Sequence, residues 1–475
     1  MVNLVRRFVS ATFEERLSLV ADATNRAMLQ RHLGEEALAE YLALADQFDS
    51  RHLDGSRPPN LIFLPGVMGS SLASMGLGGT WWLDIASRHH IADLRLTPDG
   101  KVDADPRARV EPVSVMGMYE GFFAGVYTTG NLQHLAFAYD WRKPLRLSAE
   151  SLRSTVLSAA EASGGPVHIV AHSMGGLLAR TTLMLYPELW PHVGKVVFIG
   201  SPHYGSPAIA GYLKNHLWGF ELLALLGRYL DRSALRSLRG VLSLLPAPAD
   251  VYPGVAEGTA HPCANFDLYD VDAWRLGLGG TERAHLQSAL DDAAQLHREL
   301  HSWHMSLDPD LRERMATVVG VGYKTLFRLA YHQGFGHQWR HMDRVTARQP
   351  GVADREGDGR VPVASAVLPG LGDVRYVRGE HGRLPTIPSV YSDVFRFLSG
   401  TAMRLPRSAT EALDDRHLSE ADASTTPALA GFGAEPTGED PGYLGLAEPD
   451  GPELDDLDAA LAEGRLPAFT RIRLL

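Results

Sequence analysis

Residues 167–180 read VHIVAHSMGGLLAR: an apolar run, a serine among small residues, then a helical pattern, with no spacer between them. A buried strand that passes straight into a helix through a serine makes a sharp, strained turn. Side chains two places before and two places after the serine would crowd such a turn. Here those places hold Ala171 and Gly175, with alanine where glycine is usual, and Gly176 lets the helix pack closely on the strand. The turn is expected to present Ser173 as a nucleophile. It aims the N–H of Met174 at a developing oxyanion, with the positive end of the helix dipole behind it. The plainer alternative is a serine that caps a helix.

Five further apolar runs read as buried strands: NLIFLPG (60–66), LQHLAFAYDW (132–141), KVVFIGSP (195–202), ATVVGVG (316–322) and DVRYVRG (373–379), the last with clearer alternation. Between the second run and the serine strand lies SAESLRSTVLSAAEAS (148–163), a helix pattern with Ser148 as its expected N-cap; the helix after Ser173 should stop at Pro187. Continuous apolar strands alternating with helices predict a mostly parallel central sheet with helices on both faces. The interval 203–312 breaks that rhythm and reads as a largely helical cap inserted over the active end of the sheet. Residues 11–50 carry apolar residues at helical spacing, with Gly34 expected to divide them into a helical pair. The expected organisation is an N-terminal helical segment (1–55), a catalytic domain with its cap (56–402) and an acidic, loosely ordered tail (403–475).

The net charge of −11 is concentrated toward the C-terminus, where residues 407–464 hold 15 Asp and Glu and no Lys. No long basic block is present, which argues against nucleic acid as a partner. One cysteine, Cys263, excludes an internal disulfide framework and a Cys-rich metal site. The first residues lack the apolar core of a signal peptide, and no run approaches a membrane span, so a cytoplasmic location is expected. No cofactor is called for. His332, His337 and His341 have spacings that could hold a metal. With 20 histidines in the chain, chance clustering is the simpler account.

A serine hydroxyl is a poor nucleophile without a base, and the base needs a carboxylate to fix its tautomer. In folds built on such an elbow the acid follows the serine and the histidine follows the acid. EGDGRVPVAS (356–365) offers Asp358 between glycines, with Asp354 as the rival; DVRYVRGEHGRLP (373–385) offers His381 just after a strand. His203 and His341 precede Asp358 and break the order, and His172 reads as a support for the turn. LPGVMGSSL (64–72) ends the first strand with Pro-Gly and exposes N–H groups, which nominates Val67 as a second oxyanion donor, against an ordinary turn. Trp81 and Trp82 in GTWWLD (79–84) read equally as core aromatics or as an apolar platform that binds the acyl chain of a substrate.

Together these stretches resemble the lecithin:cholesterol acyltransferase family of α/β-hydrolases, which includes lysosomal phospholipase A2-like enzymes. LPGVMGS is similar to the family's oxyanion loop, WWLD to its first lid region, FAYDWR (137–142) to its Tyr-Asp-Trp-Arg signature and LLPAPADVYPG (244–254) to a Leu-Leu-Pro element of the cap. AHSMGG, GDGRVP and EHGRLP carry Ser173, Asp358 and His381 in the places of nucleophile, acid and base. The resemblance spans residues 60–400, and the disulfides and secretion signal of the animal members are absent. It implies the α/β-hydrolase fold and acyl-ester chemistry on a lipid-like substrate, with water or an alcohol as acceptor. The amphipathic stretch at 209–245 suggests transient contact of the cap with a membrane surface. The alternatives are an esterase for small non-lipid esters and a non-catalytic binding protein on the same fold.

Overall fold

The computed structural model describes residues 4–47 (apart from 5, 6, 9, 10, 12 and 34), 58–213 (apart from 83, 84 and 130) and 232–323 (apart from 257–260 and 264–266). It also describes 325–328, 343–344 and 357–414. Asp354, His332, His337 and His341, the stretch GFELLALLGRYL and the acidic tail beyond residue 414 lie outside the described residues.

Six strands form the central sheet: β1 (Leu61–Leu64), β2 (His134–Ala136), β3 (Val167–His172), β4 (Val193–Ile199), β5 (Met315–Val321) and β6 (Asp373–Arg378). Their order is β6-β5-β4-β3-β1-β2, and every neighbouring pair is parallel. Strands buried on both faces must be apolar throughout, and β5 is buried at all of its positions. Alternate residues feed two cores. Ile62, Leu64, Ile169, Ala171 and Phe198 face one side, while Leu61, Phe63, Val170, Val197 and Ile199 face the other.

Two helices cover the first face: α5 (Leu145–Ser163) and α6 (Met174–Leu185). The second is covered by α1 (Phe13–Ala21), α4 (Glu120–Thr128) and α8 (Pro388–Leu398). α5 begins earlier than expected: Pro144 is its N-cap, and Ser148 sits inside the helix on its buried side. Proline preorganises a helix start, so the first turn runs back to it. At the other end Gly164, at φ 69°, takes the left-handed conformation that closes the helix.

Among the described residues of 11–50 there are three helices, not two: α1, α2 (Arg26–Leu33) and α3 (Glu35–Gln47). The additional break falls at Asp22–Asn25, where Asp22 Oδ1 accepts the Thr24 N–H and hydroxyl, and Asn25 Nδ2 donates to the Leu19 carbonyl. Such side-chain bonds compete with a helical ladder. These helices do not stand apart. Phe8, Phe13, Leu17 and Val20 share one core with Phe63 and Phe122, and the buried Arg16 pairs with Glu120 at 2.5 Å. Tyr41 also donates to Glu120.

The cap departs from expectation in two ways. Residues 70–115 form a small antiparallel sheet of Ser70–Ser74, Thr80–Trp82 and Val110–Val115. The 203–312 interval is helical at Pro207–Leu213, Arg232–Ser237, Arg239–Leu242 and the long α7 (Gly280–Ser306), but turns fill the described part of 243–279. Side-chain donors hold those turns: buried Trp274 Nε1 to the Leu268 carbonyl and half-buried Tyr269 Oη to that of Pro246. Fully buried Arg180 ties α6 to α7, donating to the carbonyls of His203 and Leu300 at 3.2 and 3.0 Å. Burial pushes its pKa down to about 10. Among the described residues no helix is long and apolar enough to cross a membrane.

Candidate active site

Parallel registry brings the C-terminal ends of the strands side by side. Leu64 lies opposite Ala171, and His172 opposite Ile199. The segments after β1, β3, β4, β5 and β6 therefore meet at one edge, where open parallel sheets hold their ligands.

Ser173 follows β3 directly and has φ 52° and ψ −124°, a costly backbone for any residue with a Cβ. Its N–H donates to the Ile199 carbonyl at 3.0 Å, and its carbonyl accepts from Gly176 N–H at 2.9 Å. The glycines beside it are sterically required. A Cβ on Gly175 would stand 2.6 Å from the Leu64 carbonyl oxygen, and one on Gly176 would stand 2.6 Å from Ser201 Cβ.

His381 bridges the other two expected residues. Its Nδ1 lies 2.7 Å from Asp358 Oδ2 and its Nε2 lies 2.8 Å from Ser173 Oγ. A carboxylate oxygen only accepts, so Nδ1 carries the ring proton, and Nε2 is left to accept from the serine hydroxyl. Asp358 is aimed by the backbone. Its Oδ1 accepts from the N–H groups of Arg360 and Val361 at 3.0 and 2.7 Å, and its own carbonyl accepts the His381 N–H at 2.9 Å. Small residues make the room, for a Cβ on Gly320 would stand 2.6 Å from Asp358 Cβ. Ser173, Asp358 and His381 are all buried.

The 65–70 loop passes next to the serine. A Cβ on Gly66 would stand 3.0 Å from Ser173 Cβ. The Gly66 N–H is taken by Tyr119 Oη at 2.9 Å. The N–H groups of Val67 and Met174 donate to no acceptor among the described residues. Aromatic donors fix the loop's carbonyls. Tyr139 Oη holds that of Pro65 at 3.0 Å, Trp82 Nε1 that of Met68 at 2.9 Å and Trp141 Nε1 that of Ser70 at 3.2 Å. Met68 has φ 61°, so its carbonyl is held in a strained setting. The intervening Asp140 pairs with fully buried Arg142, which also reaches Asp103 at 2.9 Å.

Of the two readings of Trp81 and Trp82, burial favours the core-aromatic one. Both are 0% exposed. Trp81 stacks on His90 at 4.7 Å between ring centroids, and Trp82 packs edge-on against Trp141 at 5.1 Å. In this structure both pack in the core, and Trp82 bears on the site through the Met68 carbonyl. Sequence reasoning did not single out Tyr119 or the bracing by Tyr139 and Trp141. The signature FAYDWR marked the latter two without saying what they hold.

His172 is buried beside the serine. Its Nδ1 lies 2.9 Å from Tyr119 Oη and its Nε2 lies 3.0 Å from the His381 carbonyl. Burial, reinforced by the nearby His381, pulls its pKa well below the ordinary histidine value. Burial likewise raises the Tyr119 phenol. His203, a rival for the base, is buried elsewhere, with its ring edge-on to Phe198.

A hydroxyl, an imidazole and a carboxylate in series can pass a proton from the hydroxyl to the ring. Two uncommitted N–H groups next to the hydroxyl can receive an oxyanion.

Comparison with known proteins finds one family model that matches part of the chain and a set of distant solved structures. The family model described as lecithin:cholesterol acyltransferase matches residues 126–261. An uncharacterized protein of Saccharomyces cerevisiae is 24% identical over 259 residues, taking in 49% of this chain and 37% of the yeast protein. The chain therefore aligns with well under half of that relative. Among solved structures, a chain of the Tle4–Tli4 complex is 15% identical with a TM-score of 0.47, covering 73% of this chain and 97% of that one. The mature Bacillus licheniformis lipase BlEst2 is 14% identical with a TM-score of 0.35, covering 72% and 92%. The Legionella pneumophila phospholipase PlaB is 10% identical with a TM-score of 0.32, covering 76% and 64%.

Proposed function

We propose that the chain, whose parallel sheet carries the serine elbow and whose residues 126–261 match the lecithin:cholesterol acyltransferase model, cleaves lipid-like acyl esters through an acyl-enzyme on Ser173. The observation that carries this reading is the series Ser173 Oγ, His381, Asp358, at 2.8 and 2.7 Å.

His381 takes the serine proton as Oγ attacks the ester carbonyl, and Asp358 stabilises the imidazolium that forms. The Val67 and Met174 N–H groups receive the negative oxygen of the tetrahedral intermediate; losing one such donor commonly costs about 10²–10³ in rate. Collapse expels the alcohol, which takes its proton from His381. Water or a second alcohol then enters, gives its proton to His381 and attacks the acyl carbon; the second intermediate collapses as His381 returns that proton to Ser173 Oγ, releasing an acid or a new ester. Hydrolase and transferase outcomes thus share one intermediate and differ in the acceptor admitted. The family match at 126–261 supports a lipid acyl donor over a small polar ester.

The test is labelling with a fluorophosphonate, followed by product analysis on a lipid ester with and without added long-chain alcohol. Parent protein should label at Ser173 and Ser173→Ala should not. Equal esterase activity in Ser173→Ala would refute the reading. A new ester appearing with alcohol would assign the transferase outcome, and free acid alone would assign the hydrolase.

A further inference from the structure

The buried hydrogen bonds next to the site run in one direction. The His381 carbonyl can only accept, so His172 Nε2, 3.0 Å away, carries the ring proton. The Gly66 N–H can only donate, so Tyr119 Oη accepts it at 2.9 Å. The phenol hydrogen is left for His172 Nδ1, also at 2.9 Å. Gly66 N–H, Tyr119 O–H and His172 Nε2–H thus point in succession from the segment after β1, through the turn before α4 and the residue preceding Ser173, to the backbone of His381. Every donor and acceptor in this series is used once. Protonating His172 would put a hydrogen on Nδ1 and turn it against the phenol.

We infer that Tyr119 and His172 are positioning residues that set the oxyanion loop and the base in a common frame around Ser173. The inference rests on the reading of Ser173 as nucleophile. Two groups must sit correctly about the same oxygen: the Val67 N–H, one residue from Gly66, and the His381 ring. They come from segments after β1 and after β6, and no hydrogen bond joins them among the described residues. The Tyr119–His172 pair connects them by hydrogen bonds and lies against the turn itself. A Cβ on Gly66 would stand 3.1 Å from His172 Nδ1, and the two histidine rings are 4.9 Å apart. A misplacement of about 1 Å in such groups costs on the order of 10² in rate.

Tyr119→Phe keeps the ring in its packing against Phe63, at 4.9 Å between centroids, and removes only the hydroxyl. His172→Gln retains an amide N–H to reach toward the His381 carbonyl. Each variant is assayed on a soluble p-nitrophenyl ester, with kcat expressed per site titrated by fluorophosphonate, which corrects for misfolded protein. Tyr119→Phe is expected to lose about 10–100-fold in kcat with KM within about two-fold of the parent. His172→Gln should lose less than His172→Ala. The double variant Tyr119→Phe with His172→Gln should lose about as much as the worse single, because both cut one chain. Parent kcat per titrated site in Tyr119→Phe would overturn the inference. So would losses that multiply in the double variant, or a change confined to KM. Failure of the parent itself to label would instead overturn the nucleophile reading.

Discussion

Replacing Asp358 by asparagine tests the proposed chemistry with almost no change of shape. In the parent, Oδ1 accepts two backbone N–H groups, from Arg360 at 3.0 Å and Val361 at 2.7 Å, while Oδ2 accepts from His381 at 2.7 Å. An amide has one acceptor end and one donor end. The two N–H groups claim the oxygen, so the NH2 faces His381 Nδ1. That nitrogen must then accept, which moves the ring proton to Nε2, against Ser173 Oγ. A base in that tautomer cannot take the serine proton. Flipping the amide restores the tautomer but turns the NH2 onto two buried donors, each left unsatisfied at about 1–3 kcal/mol. The total of about 2–6 kcal/mol leaves the working arrangement about 30- to 10⁴-fold less populated. The expected result is a fall of that size in kcat for a soluble ester, a parallel fall in the rate of fluorophosphonate labelling, and a near-native thermal midpoint. Asp358→Asn with kcat within about three-fold of the parent and native unfolding would refute the assignment of Asp358 and its backbone-imposed tautomer.

Gly175→Ala places a Cβ 2.6 Å from the Leu64 carbonyl oxygen and 2.8 Å from that of Pro65. Neither backbone group can rotate away, so a stability loss of about 1–3 kcal/mol and a drop in kcat are expected by urea unfolding and ester turnover; a variant as stable and active as the parent would contradict the packing. Trp82→Phe strips the donor from the Met68 carbonyl, and should cost about 1–3 kcal/mol together with a fall in kcat; stability loss with kcat intact would show that the oxyanion loop does not depend on it. Acid should weaken the fold. Burial, then the Arg180 charge, pushes His297 and His304 down to about 4, below the value of about 6.5 for an unfolded histidine. The native state therefore favours the neutral rings, and their contribution is whole above about pH 6.5 and lost as pH falls toward 4. Urea midpoints should drop by the equivalent of about 2–4 kcal/mol between pH 7 and pH 5, and midpoints that hold or rise would refute it.

The sheet was legible because its strands are buried on both faces, which leaves runs such as LIFL and TVVGV with no competing reading. The segment LQHLAFAYDW was legible only in part. It predicts ten residues of strand, but pairing ends at Ala136. Its second half leaves the sheet so that Tyr139 and Trp141 can turn their polar tips onto the 65–70 loop. Apolar content marks burial equally well in a strand and in a brace, and nothing local separates the two. The small antiparallel sheet was invisible for a related reason: SSLAS, TWW and VEPVSV are short and lack an apolar alternation. The serine turn, with Ala171, Gly175 and Gly176, was the most readable feature, because its steric demands are local. Asp358 and His381 were placed by chain order and glycine context, and the structure brings both to Ser173. Tyr119 carried no signal, since its importance comes from Gly66 and His172, each 53 residues away.

The ion pair between Arg16 and Glu120 has a consequence for how the chain is made. The partners lie 104 residues apart, and Tyr41 waits across 79 residues for the same carboxylate. At about 5–20 residues per second of synthesis, the first helices spend about 5–20 s outside the ribosome before the group they bury against emerges. Their apolar faces are uncovered throughout that interval, so this stretch relies on chaperone cover. Ser173 waits longer still, because its hydrogen-bond partner His381 follows 208 residues later. On the proposed mechanism, a nascent chain therefore carries the serine before it carries the histidine that would activate it.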